Sequence, residues 1–154
     1  MGRNNSNRFH LAIEAGDLDM TVPWYTNVLG CSLDMKEEGR WQDINFWGNE
    51  LTLHASKPRS EKGNERSRHD VDMGKVCVPH FGIHLDKETY LVVKERVAAT
   101  GGFLDEPYVS FAGTDYEQET FLVEDPNYNV LEINSMSNTY VRKLVFSPTD
   151  VDPN

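Results

Sequence analysis

The stretch PHFGIH, residues 79–84, decides the fold once it is written under FHLAIE, residues 9–14. The two stretches place His80 under His10, and in each a histidine interrupts a mostly apolar run. Side chains alternate between the two faces of a strand, so His80 is expected to share a face with His84, as His10 is with Glu14. The chain is therefore predicted to contain two strands that open two copies of one structural unit.

Helical spacing follows the first of these strands. Thr21 is predicted as the N-cap, Pro23 fits a first turn and Gly30 fits the end, so a helix is expected over about 22–29. Three extended runs come next, with a hairpin turn at Gly48-Asn49 between the last two. The predicted strands are 31–36, 40–47 and 50–55.

The second half repeats that order. A strand over 78–85 precedes a helix with Asp86 as its N-cap, which stops at Gly101-Gly102. The strands that follow are predicted at 103–111, 119–123 and 130–134. The chain is thus predicted to be an α+β domain over 9–135, with tandem βαβββ modules at 9–55 and 76–135, a linker at 56–75 and a C-terminal tail at 136–154.

The composition and charge of the chain favour some classes of function and disfavour others. With 38% hydrophobic and 26% charged residues, the 154-residue chain has the balance of a globular domain. No apolar run is long enough for a membrane span, and the polar start lacks the apolar core of a signal peptide, so a cytoplasmic protein without a membrane partner is expected. A formal net charge of −10 disfavours nucleic acid and favours a small-molecule partner. Cys31 and Cys77 are expected to be reduced and buried.

The last strand of each module carries the next candidates. Aligning the turns, Asn49 over Asn129, places Thr52 opposite Glu132 and His54 opposite Asn134. Glu132 interrupts an otherwise apolar strand, and a carboxylate there needs a partner, of which a metal ion is a common one. Two imidazoles and one carboxylate form a set that leaves metal positions open, as suits Fe(II), Mn or Zn. The alternative is that the histidines are ordinary core residues of a metal-free domain.

Several short motifs in this order and spacing resemble one protein family. They are His10, the segment from Trp24-Tyr25 to Leu29-Gly30, His80, and the segment from Asp125-Pro126 to Leu131-Glu132. Together they resemble the vicinal oxygen chelate superfamily, which includes glyoxalase I, extradiol dioxygenases, fosfomycin-resistance proteins and bleomycin-binding proteins. The motif Val78-Pro-His-Phe-Gly82, with Glu117-Gln118 and Thr120, is similar to a subgroup described as predicted extradiol-type dioxygenases.

The resemblance implies a fold and a chemistry. It implies curved mixed sheets around a metal-binding cup, with His10, His80 and Glu132 as ligands of a divalent metal: Fe(II) first, with Zn, Mn or Ni as alternatives. The implied function is a dioxygenase-like enzyme that binds its substrate through vicinal oxygens. A glyoxalase-type lyase or isomerase and a metal-free drug-binding protein are the alternatives. A homodimer is expected, and the cup closes either within one chain or between two.

Departures from the family concern the fourth ligand. Relatives of glyoxalase I carry a carboxylate in the last strand of the first module, where this chain has Thr52, with Glu50 and His54 on the same face. His54 is a candidate fourth ligand or base, and Glu50 and Thr52 are weaker candidates.

Two other residues are weaker candidates as well. Four residues along a strand span about 13 Å, so His84 is not expected to share a metal with His80. Tyr116 lies where a loop could cover the cup. The linker 56–75 is expected to be solvated, with a basic lid as the alternative, and its His69 to be exposed.

Overall fold

Two modules with the same element order make up most of the protein. The computed structural model describes residues 7–71 and 74–136. Module 1 consists of β1 (His10–Gly16), α1 (Leu18–Asn27), β2 (Ser32–Glu37), β3 (Trp41–Phe46) and β4 (Asn49–Ala55). Between the modules lie a 3-10 turn (Gly63–Glu65), β5 (Arg68–Val71) and β6 (Gly74–Cys77). Module 2 consists of β7 (Phe81–Leu85), α2 (Lys87–Ala99), β8 (Asp105–Ser110), β9 (Gln118–Glu124) and β10 (Val130–Ser135).

The two sheets have the same strand order. Module 1 has the order β1-β4-β3-β2, and module 2 has the order β7-β10-β9-β8. The first and last strands of each module pair in parallel, and the hairpin strands pair antiparallel, so each sheet is mixed. The predicted α+β class with two tandem βαβββ modules is confirmed.

The strand register shows the repeat residue by residue. In module 1 the parallel pair β1–β4 sets Ala12 beside Thr52. In module 2 the pair β7–β10 sets Gly82 beside Glu132. The alignment of Thr52 with Glu132, made on the turns alone, therefore agrees with the backbone pairing.

The start of the first helix differs from the prediction. α1 begins at Leu18, its N-cap is Asp17, whose carboxylate accepts from the Asp19 N–H, and Pro23 lies inside the helix. Thr21 is instead buried, and its hydroxyl donates to the carbonyl of Ala15 at 2.7 Å. A threonine before an apolar run resembles a cap, but here the hydroxyl ties the helix to the strand before it.

The strand that opens module 2 is shorter than predicted. β7 begins at Phe81, after a cis Val78-Pro79 peptide bond, so His80 lies just before the strand and not within it. Pro79 has no N–H to donate to a strand partner, which is consistent with the later start. The expectation that His80 shares a regular strand face with His84 is therefore wrong.

The segment predicted as a linker contains regular structure. The hairpin formed by β5 and β6 pairs Arg68 with Cys77 and Val71 with Gly74. The Arg68 guanidinium donates to the Asp105 carboxylate at 2.7 Å, which fixes the hairpin to β8. His69 is exposed, as expected. The predicted tail lies outside the described residues except for Met136.

Each module has its own apolar core. In module 1 the fully buried side chains include Tyr25, Leu29, Ile44, Leu51 and Leu53. In module 2 they include Tyr90, Val93, Val97, Phe121, Leu131 and Ile133. These residues come from the helix and from one face of the sheet, which leaves the opposite sheet face free to carry polar side chains.

The described residues divide into two compact units, 7–65 with 124–129 and 66–123 with 130–136. The turn at 124–129 thus belongs with module 1. Cys31 and Cys77 are both buried and are not joined by a disulfide bond, as expected. Among the helices of the described part, none is long and apolar enough to cross a membrane.

Candidate metal centre

His80 and Glu132 are brought together in module 2. The Nε2 atom of His80 lies 3.3 Å from the Oε2 atom of Glu132, and both side chains are about three-quarters buried, with 25% and 23% of their surface exposed. The two residues lie at opposite ends of the module in the sequence, and the parallel pairing of β7 with β10 makes them neighbours in the structure.

The hydrogen bond on the other side of the His80 ring determines which nitrogen is free. His80 Nδ1 lies 2.6 Å from the carbonyl oxygen of Cys77. A carbonyl can only accept, so Nδ1 carries the hydrogen, and in the neutral ring Nε2 presents a lone pair. A lone pair on Nε2 and a carboxylate oxygen then face each other at 3.3 Å. Two such acceptors are stabilised by a cation between them, so the pair fits a divalent metal ion.

Glu132 is also held on its second oxygen. The Asn134 side-chain amide donates to Glu132 Oε1 at 2.9 Å. Asn134 itself is buried, and its carbonyl accepts from the hydroxyl of Thr120. Oε2 is therefore the carboxylate oxygen that is left to face His80.

Gly82 lets the strand that follows His80 approach β10. A Cβ atom at Gly82 would lie 1.6 Å from the backbone oxygen of Glu132. Such a contact is far below any van der Waals distance, so only glycine fits beside Glu132 at this point of the ladder.

His10 has a carboxylate partner of its own in module 1. Its Nδ1 atom lies 2.6 Å from Oε1 of Glu50, the residue paired with it in the β1–β4 register. Both side chains are about half exposed, at 57% and 49%. The contact orients the imidazole and leaves Nε2 as the nitrogen available to another ligand.

The other candidates from module 1 lie on the same strand as Glu50. Thr52 is buried, and its hydroxyl donates to the Asp43 carboxylate at 2.6 Å. His54 is exposed and lies between Glu14 and Trp41 in the register. Sequence reasoning missed Asp43, because nothing in the spacing indicates that β3 places it directly opposite Thr52.

His84 and Tyr116 are not part of the His80–Glu132 contact. His84 is exposed and pairs with Asn134 in the β7–β10 register. Tyr116 is half exposed in the loop between β8 and β9. Within neither unit do the described residues include a group of three or more His, Cys, Asp or Glu side chains that could hold a metal.

Asp125 is a buried acid in the turn of residues 124–129, and its burial affects its pKa. Asp125 is 2% exposed, and its carboxylate accepts from the Tyr25 hydroxyl at 2.9 Å and from Asn129 at 2.8 Å. Loss of hydration raises the pKa of Asp125, although the hydrogen bonds from Asn129 and Tyr25 oppose that rise. The same burial, together with the Asp125 charge, raises the pKa of Tyr25 well above its usual value. This pair supports the fold of module 1.

Comparison with known proteins gives no match to any family model and none to curated sequences. Solved structures do match. A glyoxalase/bleomycin resistance protein/dioxygenase from Alicyclobacillus acidocaldarius is similar with a TM-score of 0.64 and 29% identity, over 90% of this chain and 98% of that chain.

Two further structures share the fold at lower identity. A lactoylglutathione lyase from Agrobacterium tumefaciens matches with a TM-score of 0.57 and 19% identity, over 90% of this chain and 98% of that one. The fosfomycin resistance protein FosX from Listeria monocytogenes matches with a TM-score of 0.58 and 12% identity, over 89% and 97%. The structural neighbours are thus members of the glyoxalase/bleomycin resistance protein/dioxygenase superfamily, and the resemblance to the vicinal oxygen chelate superfamily is confirmed.

Proposed function

We propose that the protein is a metal-dependent enzyme acting on a small molecule, with His10, His80 and Glu132 as the ligands of a divalent metal. The observation that carries the proposal is the His80–Glu132 contact, in which Nε2 and Oε2 face each other at 3.3 Å while the Cys77 carbonyl occupies the other ring nitrogen. Metal-binding histidines usually donate their second ring N–H to a carbonyl or carboxylate in this way.

The His10 contact supports the same arrangement. Glu50 accepts from the Nδ1 side of His10, as the Cys77 carbonyl does for His80. Both histidines then have Nε2 as the nitrogen available to a metal. In this arrangement Glu50 orients His10 and is not itself a ligand.

The absence of a carboxylate at position 52 favours the dioxygenase-like function. Thr52 occupies the position that corresponds to Glu132, and its hydroxyl is engaged by Asp43. A set of two histidines and one carboxylate leaves several positions open, which is typical of non-haem Fe(II) oxygenases. When bound, such an ion polarises the oxygens of a substrate and stabilises charge that develops on them.

The chain's own residues have separate roles in this proposal. His10, His80 and Glu132 bind the ion; Glu50 and the Cys77 carbonyl keep the two imidazole rings oriented; and His54, on the β4 face that carries Glu50, is the candidate for moving a proton of the substrate. Fe(II) is the proposed metal, with Zn, Mn or Ni as alternatives.

Metal analysis of protein purified without chelators tests the site. His80→Ala and Glu132→Ala are expected to lose the stoichiometric metal of the unchanged protein. His84→Ala and Glu106→Ala are matched controls, because both residues are exposed on strands of module 2, and these variants are expected to keep it. Full retention by His80→Ala and Glu132→Ala would overturn the assignment. An unchanged protein without metal would favour the drug-binding alternative.

A second candidate function, a glyoxalase-type lyase or isomerase, is favoured by the Glu50 carboxylate beside His10 if that carboxylate turns to the metal. Glu50→Gln separates the two. A glutamine oxygen still accepts from His10. If Glu50 only orients His10, Glu50→Gln is therefore expected to keep its metal and, when loaded with Fe(II), to consume oxygen with a panel of catechols. Loss of metal in Glu50→Gln, without oxygen uptake by the unchanged protein, would indicate the lyase or isomerase.

We also propose a cytoplasmic homodimer. In the described part of the chain, β1 and β2 are the edge strands of one sheet and β7 and β8 those of the other. Edge strands present unpaired backbone groups that proteins usually cover. Light scattering coupled to gel filtration, which measures the molar mass in solution, tests the dimer, and a mass of one chain would contradict it.

A further inference from the structure

A continuous line of buried polar side chains leads away from the oxygen of Glu132 that does not face His80. Asn134 donates to Glu132 Oε1 at 2.9 Å, and Thr120 donates to the Asn134 carbonyl. Asn134 and Thr120 are 4% and 2% exposed. Buried polar atoms depend on such partners, and each bond is stronger than it would be in water.

The chemistry of each atom fixes the direction of these hydrogen bonds. The ionised Glu132 carboxylate only accepts, so Asn134 must present its NH2 group there and turn its carbonyl to Thr120. That carbonyl also only accepts, so the single hydroxyl hydrogen of Thr120 is used on Asn134. Neither Asn134 nor Thr120 can reverse without leaving a buried polar atom unpaired.

These three residues therefore form one line of hydrogen bonds directed at the carboxylate, from the Thr120 hydroxyl through the Asn134 amide to Glu132 Oε1.

We propose that Asn134 is a positioning residue for Glu132, held in its working orientation by Thr120, and that this pair fixes Oε2 as the metal-binding oxygen. The inference rests on the proposed metal site. Asn134 acts on the carboxylate and does not touch the metal. Without it Glu132 gains rotational freedom, and either oxygen could turn to His80.

Module 1 lacks this arrangement. Position 52 has no carboxylate, and its threonine hydroxyl donates to Asp43 on β3. The residue that corresponds to Asn134 is His54, which is exposed. A positioning chain is therefore present only in the module that supplies the carboxylate ligand.

Cobalt binding to the full-length protein tests the role. The affinity for Co²⁺ is measured by competition with a chelator, and the visible absorption of bound Co²⁺ reports the ligand geometry. Asn134→Leu, similar in size but without hydrogen bonds, is expected to weaken Co²⁺ binding by about 10- to 100-fold and to change the spectrum. Thr120→Val is expected to weaken it by a smaller factor, and Thr120→Ser, which keeps the hydroxyl, to restore both affinity and spectrum.

A double variant separates positioning from general loss of structure. In a Glu132→Gln background the carboxylate is already gone, so adding Asn134→Leu is expected to change Co²⁺ affinity by less than about twofold. His84→Ala, which removes the β7 neighbour of Asn134, is the matched control and is expected to bind Co²⁺ normally. Circular dichroism of the metal-free variants verifies that they fold. If Asn134→Leu does not fold, the Thr120→Val and Thr120→Ser pair decides.

Two outcomes distinguish the inference from the proposed function. If Glu132→Gln binds Co²⁺ as tightly as the unchanged protein, the metal site itself is wrong. If Glu132→Gln binds weakly while Asn134→Leu and Thr120→Val keep the unchanged affinity and spectrum, the site stands and the positioning role of Asn134 is overturned.

Discussion

The two modules share one backbone plan but differ in the residues that line the equivalent strand pair. Ala12 lies beside Thr52 in module 1, and Gly82 lies beside Glu132 in module 2. In module 1 the threonine hydroxyl is bound by Asp43, whereas in module 2 the carboxylate is bound by Asn134 and faces His80. The difference shows how two repeats with the same topology can carry a hydroxyl at one strand position and, at the equivalent position, a carboxylate held beside a histidine.

The largest expected effect concerns Gly82. Gly82→Ala is expected to destabilise the protein by about 3 kcal/mol or to prevent folding, because the new Cβ would collide with the Glu132 carbonyl. Ala12→Gly, at the corresponding position of module 1, is expected to lower stability by only about 0.5–1 kcal/mol. Urea unfolding of both variants measures the two losses. Equal losses would show that the modules do not differ at this strand pair.

The buried tyrosines of the two helices give a second contrast. The Tyr25 hydroxyl donates to Asp125, whereas the Tyr90 hydroxyl is buried with no hydrogen-bond partner among the described residues. Tyr25→Phe is expected to lower the free energy of unfolding by about 1–2 kcal/mol, since Asp125 loses a donor. Tyr90→Phe is expected to be neutral or stabilising by up to about 1 kcal/mol.

Thermal and urea unfolding of the two phenylalanine variants check this contrast. Each substitution removes one oxygen atom from a fully buried ring, so the apolar packing is matched between them. A loss of stability in Tyr90→Phe equal to that in Tyr25→Phe would indicate that both hydroxyls are hydrogen-bonded.

The pH dependence of stability is expected to depend on Asp125. Burial raises its pKa in the folded state above the usual value of 3.8. Between the unfolded and folded pKa values the native state binds more protons than the unfolded state, so the contribution of Asp125 to stability falls as the pH rises through that window. Other carboxylates are common to the unchanged protein and Asp125→Asn and cancel between them.

Melting temperatures of both proteins at a series of pH values from about 4 to 8 test this dependence. The stability of the unchanged protein relative to Asp125→Asn should be highest at the acidic end and should decline as the pH rises. A difference that grows with pH would mean that Asp125 is stabilised as a carboxylate, and its pKa would then be lowered by folding.

The smallest effect concerns the cysteine of module 1. Burial raises the pKa of Cys31 to about 12, so at pH 8 only about one ten-thousandth of it is thiolate. Native protein is therefore expected to react with iodoacetamide far more slowly at Cys31 than the same protein in denaturant, as followed by mass spectrometry. Cys77, which lies between the two modules in the sequence and is fully buried in the structure, provides the comparison. Rapid labelling of native Cys31 would show that its surroundings open readily.

Much of the candidate site followed from periodicity and repeat alignment. His10 over His80 and Thr52 over Glu132 were found by matching strands and turns, because side chains alternate with a period of two and a duplicated module keeps that register. The start of the module 1 helix was predicted four residues late, since Pro23 fits a first turn and therefore favours Thr21 as the cap, although Asp17 is at least as good an N-cap residue.

The sequence by itself determined the duplication and the element order within each module, because strand and helix periods are local properties of the chain, but it did not predict the β5–β6 hairpin between the modules. The three candidate ligands came from the repeat alignment together with the family resemblance, and they stay a prediction. Only the tertiary structure decided which atoms meet: His80 with the Cys77 carbonyl and Glu132, His10 with Glu50, and Asn134 with Glu132. Hydrogen-bond partners depend on register across strands and on side-chain rotamers. Both are set by packing of residues distant in sequence, which no local pattern encodes.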